Sequence, residues 1–294
     1  MHVVDARSQA GVLNDPRCLA GAAAGFACAA VSLWAFRGMP LGTLAFWLAS
    51  LPVYLAGLSF GPVAGGLAAA VGGIALLPVA GLRGSVVFLL SAGLPAALIL
   101  LAALRPGRTD LSVPLALLGL GPAVAAWASI AVSPAGLEAA LATQLAGMLA
   151  ASGLEVSAEA VGGLVRLAIA LAGASLALPL LLCGTAAQRW LARRRLALRP
   201  MPAWKTARLP GWYAGLLALA LLAAWLTGAL EALTVAAALL VPVFLQGLAV
   251  IHGRLRGPVL VLFYLLLVLF SLPAATLVVG LGLLEQFGRK PPRT

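Results

Sequence analysis

Apolar runs of membrane length alternate with short polar or glycine–proline breaks along nearly the whole chain, and that alternation predicts its elements. The first run, 18–36, is about long enough at 1.5 Å per residue to cross the ~30 Å hydrocarbon core of a bilayer. The second, 41–60, ends in Ser59-Phe60-Gly61-Pro62, an uncharged turn. Pro62 can open the next helix, because its missing N–H would have no partner there anyway. A third run covers 62–80. Arg83-Gly84 separates it from a fourth, 85–104, and the basic turn Arg105 to Asp110 leads to a fifth, 111–132.

Ser133-Pro134 can cap a further helix, in which Leu137, Leu141, Leu145 and Met148 recur at helical spacing on one face. Segment 134–152 reads as an amphipathic helix on the outer membrane face or as a linker helix packed on the bundle. Glu138 and Gln144 weigh against another span. The sixth, seventh and eighth runs cover 161–187, 212–229 and 232–251. The last, 258–287, would make a helix of about 45 Å, too long for one upright crossing. Ser271-Leu272-Pro273 splits it, so two short helices or one sharply bent helix are expected, with the tail inside. The expected fold class is all-α: a polytopic transmembrane bundle of about eight to ten apolar segments with no large soluble domain.

The expected organisation is a cytoplasmic tail at 1–17, a glycine-rich five-span part at 18–132 and an external segment at 133–160. A C-terminal membrane part follows at 161–288, with its basic cytoplasmic loop at 188–211, and a basic tail at 289–294. Nothing polar follows 18–36 that would make it a cleaved signal.

Composition agrees with a lipid solvent. Only 9% of the 294 residues are charged and 63% are hydrophobic, with mean hydropathy +1.09. A soluble domain carries about 25% charged residues. The net charge of +11 therefore belongs to loops and ends. Seven of the nineteen basic residues fall in 189–208: Arg189, Arg193, Arg194, Arg195, Arg199, Lys205 and Arg208. Such a cluster between apolar runs is held on the cytoplasmic side during insertion, which places the N-terminus inside as well. It favours anionic lipid as a partner rather than nucleic acid, since no soluble domain carries the charge. The high arginine, alanine and glycine content suggests a bacterial inner membrane.

Candidate chemistry is sparse. The three cysteines lie in apolar runs without CxxC spacing, and the two histidines are far apart, so neither metal nor other cofactor is expected. No GxxxxGK[ST] occurs, and an enzyme is not expected. Small residues recur by four at Gly21 and Gly25, and again from Gly57 through Gly61, Gly65 and Gly73. They suit close helix packing or a docking face. Gln246, the deepest strong hydrogen bonder, and Arg166 are substrate-binding candidates with Gly61 and Gly65. Helix tying and snorkelling are their structural alternatives. His252 is an interfacial residue or a ligand, and Glu285 is a helical partner of Arg289 or a proton-coupling carboxylate.

Phe244-Leu-Gln246-Gly247, His252, Phe263-Tyr264 and Gly280-Leu-Gly282-Leu-Leu-Glu285-Gln-Phe287-Gly-Arg289, with Leu51-Pro52 to Gly61, resemble the YybS-like family of bacterial multi-span membrane proteins. Where that family usually has Asp, this chain has Glu285, and the aromatic–acid pair that often follows is reduced to Phe287-Gly288. Gly57 to Gly66 is also similar to glycine-rich spans of substrate-binding subunits of energy-coupling-factor transporters. That likeness implies docking on a membrane and ATPase module through the first span, with Ala20 and Ala24, or Gly21 and Gly25, as the matching residues. Two functions remain open. One is a small-molecule-binding or transport-type component without its own ATPase, its cavity near the glycine-rich spans and Gln246. The other is a scaffold that docks partner proteins or anionic lipid.

Overall fold

The computed structural model describes residues 15–106, 110–131, 136–200 and 208–288. Among them no strand occurs. The N-terminal tail, Arg108, the Ser133-Pro134 cap, Trp204, Lys205, Arg289 and the basic tail lie outside the described residues. Seven helical stretches among the described residues are long and apolar enough to cross a membrane. Their outward residues are apolar, as at Ile74 (65% exposed), Leu82 (72%) and Leu277 (72%). Water would not tolerate such a surface, and lipid does. The chain is an all-α, multi-pass membrane protein, and it divides into two compact units.

Unit 1 comprises Met1–Leu117 and Leu178–Pro202. Helix α1, Pro16–Phe36, starts where Asp15 accepts the Arg17 amide at 2.9 Å. Trp34 Nε1 donates to the Pro40 carbonyl at 2.9 Å, closing the turn into α2, Gly42–Trp47, and α3, Leu51–Phe60. Gly61 then adopts φ 102° and ψ 168°, a conformation open essentially to glycine alone, and Pro62 opens α4, Pro62–Phe88. A straight helix over the 42 residues Pro62–Ala103 would be about 63 Å long, twice the hydrocarbon thickness. It is not straight. Gly81, at φ 67° and ψ −178°, breaks α4 and folds its second arm back on the first.

Side chains lock that fold-back. Ser85 Oγ donates to the Gly73 carbonyl at 2.7 Å, and Phe88 lies against Gly72. The second arm continues through a π-turn, Leu89–Gly93, into α5, Leu94–Ala103, where Leu100 fills the space over Gly57 and Gly65. Two apolar arms thus replace one long helix, near the expected Arg83-Gly84 break, although the pivot is Gly81. Helix α1 runs parallel to the first arm of α4: Gly21 meets Ala64 and Leu67, and Gly25 meets Ala68 and Val71. Helix α9, Ala177–Arg193, completes the unit with Cys183, Ala187 and Leu191 buried.

Unit 2 comprises Leu118–Ala177 and Ala203–Thr294. Most of α6, Ser112–Ala131, belongs to it, with α7, Leu137–Ala151, and α8, Ala158–Ser175. The run expected as one span at 161–187 is interrupted by a turn at Leu176, where α8 gives way to α9. Helices α10, Gly211–Thr227, and α11, Leu230–Arg254, form a hairpin turned by Gly228 at φ 58°. Tyr213 Oη donates to the Leu239 carbonyl at 2.9 Å, and that hydroxyl and Pro242 leave room only for glycine at 119. Helix α12, Pro258–Leu269, ends at Phe270, and α13, Ser271–Gly288, follows. The break therefore falls three residues before Pro273, which sits in the first turn of α13, where it removes no hydrogen bond.

Helices α11 and α13 approach backbone to backbone. A Cβ on Gly247 would overlap the Val278 carbonyl, and one on Gly282 would overlap that of Val243. The Gln286 side chain holds Leu209 at both backbone atoms, accepting its N–H at 3.2 Å and donating to its carbonyl at 2.9 Å. The end of α13 thus lies beside the start of α10. The segment that leaves α11 after Arg254 returns to that same end of the unit.

Candidate functional site

Interrupted helices mark sites inside membranes, because a break frees backbone groups that hydrocarbon cannot satisfy. Unit 1 has such a break between α2 and α3, in an otherwise apolar 19-residue stretch, Gly42–Phe60. Leu48, Ala49 and Ser50 form a turn there, with Ala49 and Ser50 buried. Pro52, in the first turn of α3, explains why the helix restarts rather than continues.

Helix α9 supplies the first partner at the break. Cys183 Sγ donates to the Trp47 carbonyl at 3.2 Å, and the Ser50 hydroxyl lies against the same thiol. Helix α1 supplies the other wall, where Cys28 is fully buried, as is Val53 of α3. Ser32, one turn further along α1, is fully buried, and Ser50 is 2% exposed. Neither hydroxyl makes a hydrogen bond of ordinary geometry. Tyr54 is buried with its ring against Gly184 of α9. The break is thus lined by neutral donors and acceptors. That set suits a hydroxyl, carbonyl or amide of a ligand, and it holds no carboxylate or imidazole for acid–base chemistry.

The residues singled out by sequence have other surroundings. Gln246 is buried and donates to Gln286 Oε1 at 3.1 Å, which ties α11 to α13 and, through Leu209, to the start of α10. Arg166 donates to the Gly228 carbonyl and lies 3.5 Å from Glu138, so it links α7, α8 and the α10–α11 turn. Of the four candidate substrate binders, Gln246 and Arg166 join helices of unit 2. Gly21, Gly25, Gly57, Gly65 and Gly73 face neighbouring helices of unit 1, and Gly61 makes the α3–α4 turn. Gly21 and Gly25 are covered by α4, so that pair offers no face to a docking partner. Ala20 and Ala24 are only partly exposed.

His252 Nδ1 lies 3.1 Å from Tyr264 Oη on α12, an exposed pair. Glu285 is half-buried, and the expected partner Arg289 lies outside the described residues. Helix α7 buries no residue; it packs on α8, with Glu138, Ala142, Leu145 and Leu149 partly covered and Met148 62% exposed. Its apolar residues are therefore not gathered on a buried face. Among the described residues no three His, Cys, Asp or Glu side chains converge as metal ligands.

The basic connector divides in two. Arg189, Arg193, Arg194 and Arg195 are exposed, with Arg194 stacked 4.9 Å over the Trp190 ring. Arg199 instead turns inward. Its guanidinium donates to the carbonyls of Ala103 and Arg105, capping the C-terminal end of α5. Gln188 fixes that strand of connector by donating to the Arg199 carbonyl at 2.8 Å, and the Leu198 amide donates to the Leu58 carbonyl at 3.0 Å.

Sequence reasoning passes over Ser32, Ser50, Gln188 and Gln286. A serine followed by Leu51-Pro52 inside an apolar run is the signal that marks Ser50 as a helix restart. Comparison with family models, curated proteins and solved structures returned no match.

Proposed function

We propose that the protein is a small-molecule-binding or transport-type component of a bacterial inner membrane, without an ATPase of its own, and that the α2–α3 break holds the ligand. The YybS-like resemblance of residues 244–289 supports a place in that family. The observation that carries the functional reading is the pair of buried hydroxyls, Ser32 and Ser50, without ordinary hydrogen bonds beside an interrupted helix. A buried hydroxyl without a partner costs about 1–3 kcal/mol. A ligand's polar group that completes those bonds recovers this energy on binding. The ligand class is an uncharged or weakly polar molecule, matched to thiol, hydroxyl and backbone partners.

Native mass spectrometry after gentle extraction tests this. A retained small molecule, held roughly tenfold less well in Ser50→Ala, is the expected result. Retention of lipid alone, identical in wild type and Ser50→Ala, contradicts it.

A scaffold role is the second reading, and the exposed arginines at the end of α9 favour it. In that case a protein partner is retained in place of a small molecule.

A further inference from the structure

Four exposed arginines stand at the end of α9, and among the described residues none of them forms an ion pair. Topogenesis alone needs positive charge, without any particular geometry. The geometry here is particular. Arg195 sits in the left-handed region at φ 59°, just past the helix end. The Leu196 amide reaches back to the Leu191 carbonyl at 2.9 Å, and the Arg195 amide to Ala192 at 3.1 Å. That is the helix-ending turn in which glycine is the favoured residue, since it alone avoids the Cβ strain. An arginine is held there instead.

The turn walls a cleft of about 240 Å³ lined by Ala192, Arg195, Ala197, Leu198, Arg199 and Pro200. Its far wall is rigid, because Arg199 is fixed on the α5 carbonyls and Leu198 on Leu58. Trp190, 49% exposed, carries the stacked Arg194 on the preceding turn of α9. An exposed tryptophan beside arginines at the end of an apolar helix is the arrangement found at headgroup depth. The Leu196 and Leu198 side chains, 54% and 56% exposed, provide apolar contact beside the charge.

We infer that this cleft is a binding site for the phosphate headgroup of an anionic phospholipid, with Arg195 as its principal ligand to the phosphate. Arg193 and Arg194 add to the field, while Leu196, Leu198 and Trp190 lie along the upper acyl chains. A guanidinium offers two parallel N–H donors to phosphate oxygens, which an ammonium does not. A lipid meets both the charge and the apolar rim; free phosphate meets only the charge. The site stands apart from the α2–α3 break and does not rest on a ligand there.

The discriminating variant is Arg195→Gly. Glycine relieves the left-handed strain, so the fold is kept while the phosphate ligand is removed. Full-length protein in neutral detergent is titrated with phosphatidylglycerol and, separately, phosphatidylcholine, and retained lipid is counted by native mass spectrometry. Wild type is expected to retain phosphatidylglycerol preferentially, and Arg195→Gly to lose that preference about fivefold at an unchanged or higher melting temperature. Arg83→Gln, on the exposed Gly81 turn, is the charge-matched control and should retain lipid as wild type does. Equal retention of the two lipids by wild type overturns the inference. So does equal loss in Arg83→Gln, which would mean net charge alone, or displacement of the lipid by millimolar inorganic phosphate, which would mean a free anion site.

Discussion

Single residues decide where this chain turns and how closely its helices approach. Gly61 and Gly81 share the extended, positive-φ conformation that a Cβ strongly disfavours, and each lies where one apolar arm gives way to the next. Neither has a neighbour that an added methyl would strike, so strain is the whole effect. Gly81→Ala should lower stability by about 1–3 kcal/mol, seen as an earlier thermal unfolding transition in detergent; an unchanged transition would remove Gly81 as the pivot. Gly247 and Gly282 act differently, because their space is filled by carbonyls of the facing helix. Alanine at either position must push α13 off α11. Loss of protease protection across 271–288 in Gly282→Ala, with the rest of the chain unaffected, is the expected signature. The glycine spacing was legible in sequence, but which glycines turn and which pack was not. That distinction depends on backbone angles and on residues far along the chain.

Elements follow the apolar pattern where a break carries a turn residue. Gly61-Pro62 and Arg83-Gly84 announce their turns, and both appear within three residues of the expected place. The α2–α3 interruption is silent in hydropathy, because Leu48, Ala49 and the flanking residues are as apolar as a continuous span. Only Ser50 and Pro52 mark it. The end of α13 was equally hidden: Gln286 reaches Leu209 across 77 positions of sequence, and no local pattern encodes such a partner. Helix α7 shows the reverse case. Its leucine spacing suggests an amphipathic face; Leu137, Leu141 and Met148 are exposed, and Glu138 and Arg166 tether the helix. Glu138→Gln should weaken the tether by at most about 1 kcal/mol, since both side chains are substantially exposed. Faster amide exchange in 137–151, without change in overall melting, is the measurement; no change there would mean that α7 is held by α8 packing alone.

At the scale of the whole chain, charge and apolar length do separate work. The apolar arms set the solvent, and the exposed lipid-facing side chains in both units show that lipid is that solvent. The arginines are concentrated at one connector, where Arg199 braces α5 while Arg189, Arg193, Arg194 and Arg195 are exposed. If that connector faces the cell interior, as the positive-inside rule requires, then the headgroup cleft meets the anionic cytoplasmic leaflet.

Sidedness of the connector tests this account most directly. A single cysteine at Arg193→Cys, in a chain with Cys18→Ser to remove the one native thiol that is not buried, is probed in intact cells with a membrane-impermeant maleimide. The account predicts no labelling until the inner face is opened, and full labelling afterwards. Full labelling in intact cells would place the arginines outside and contradict it.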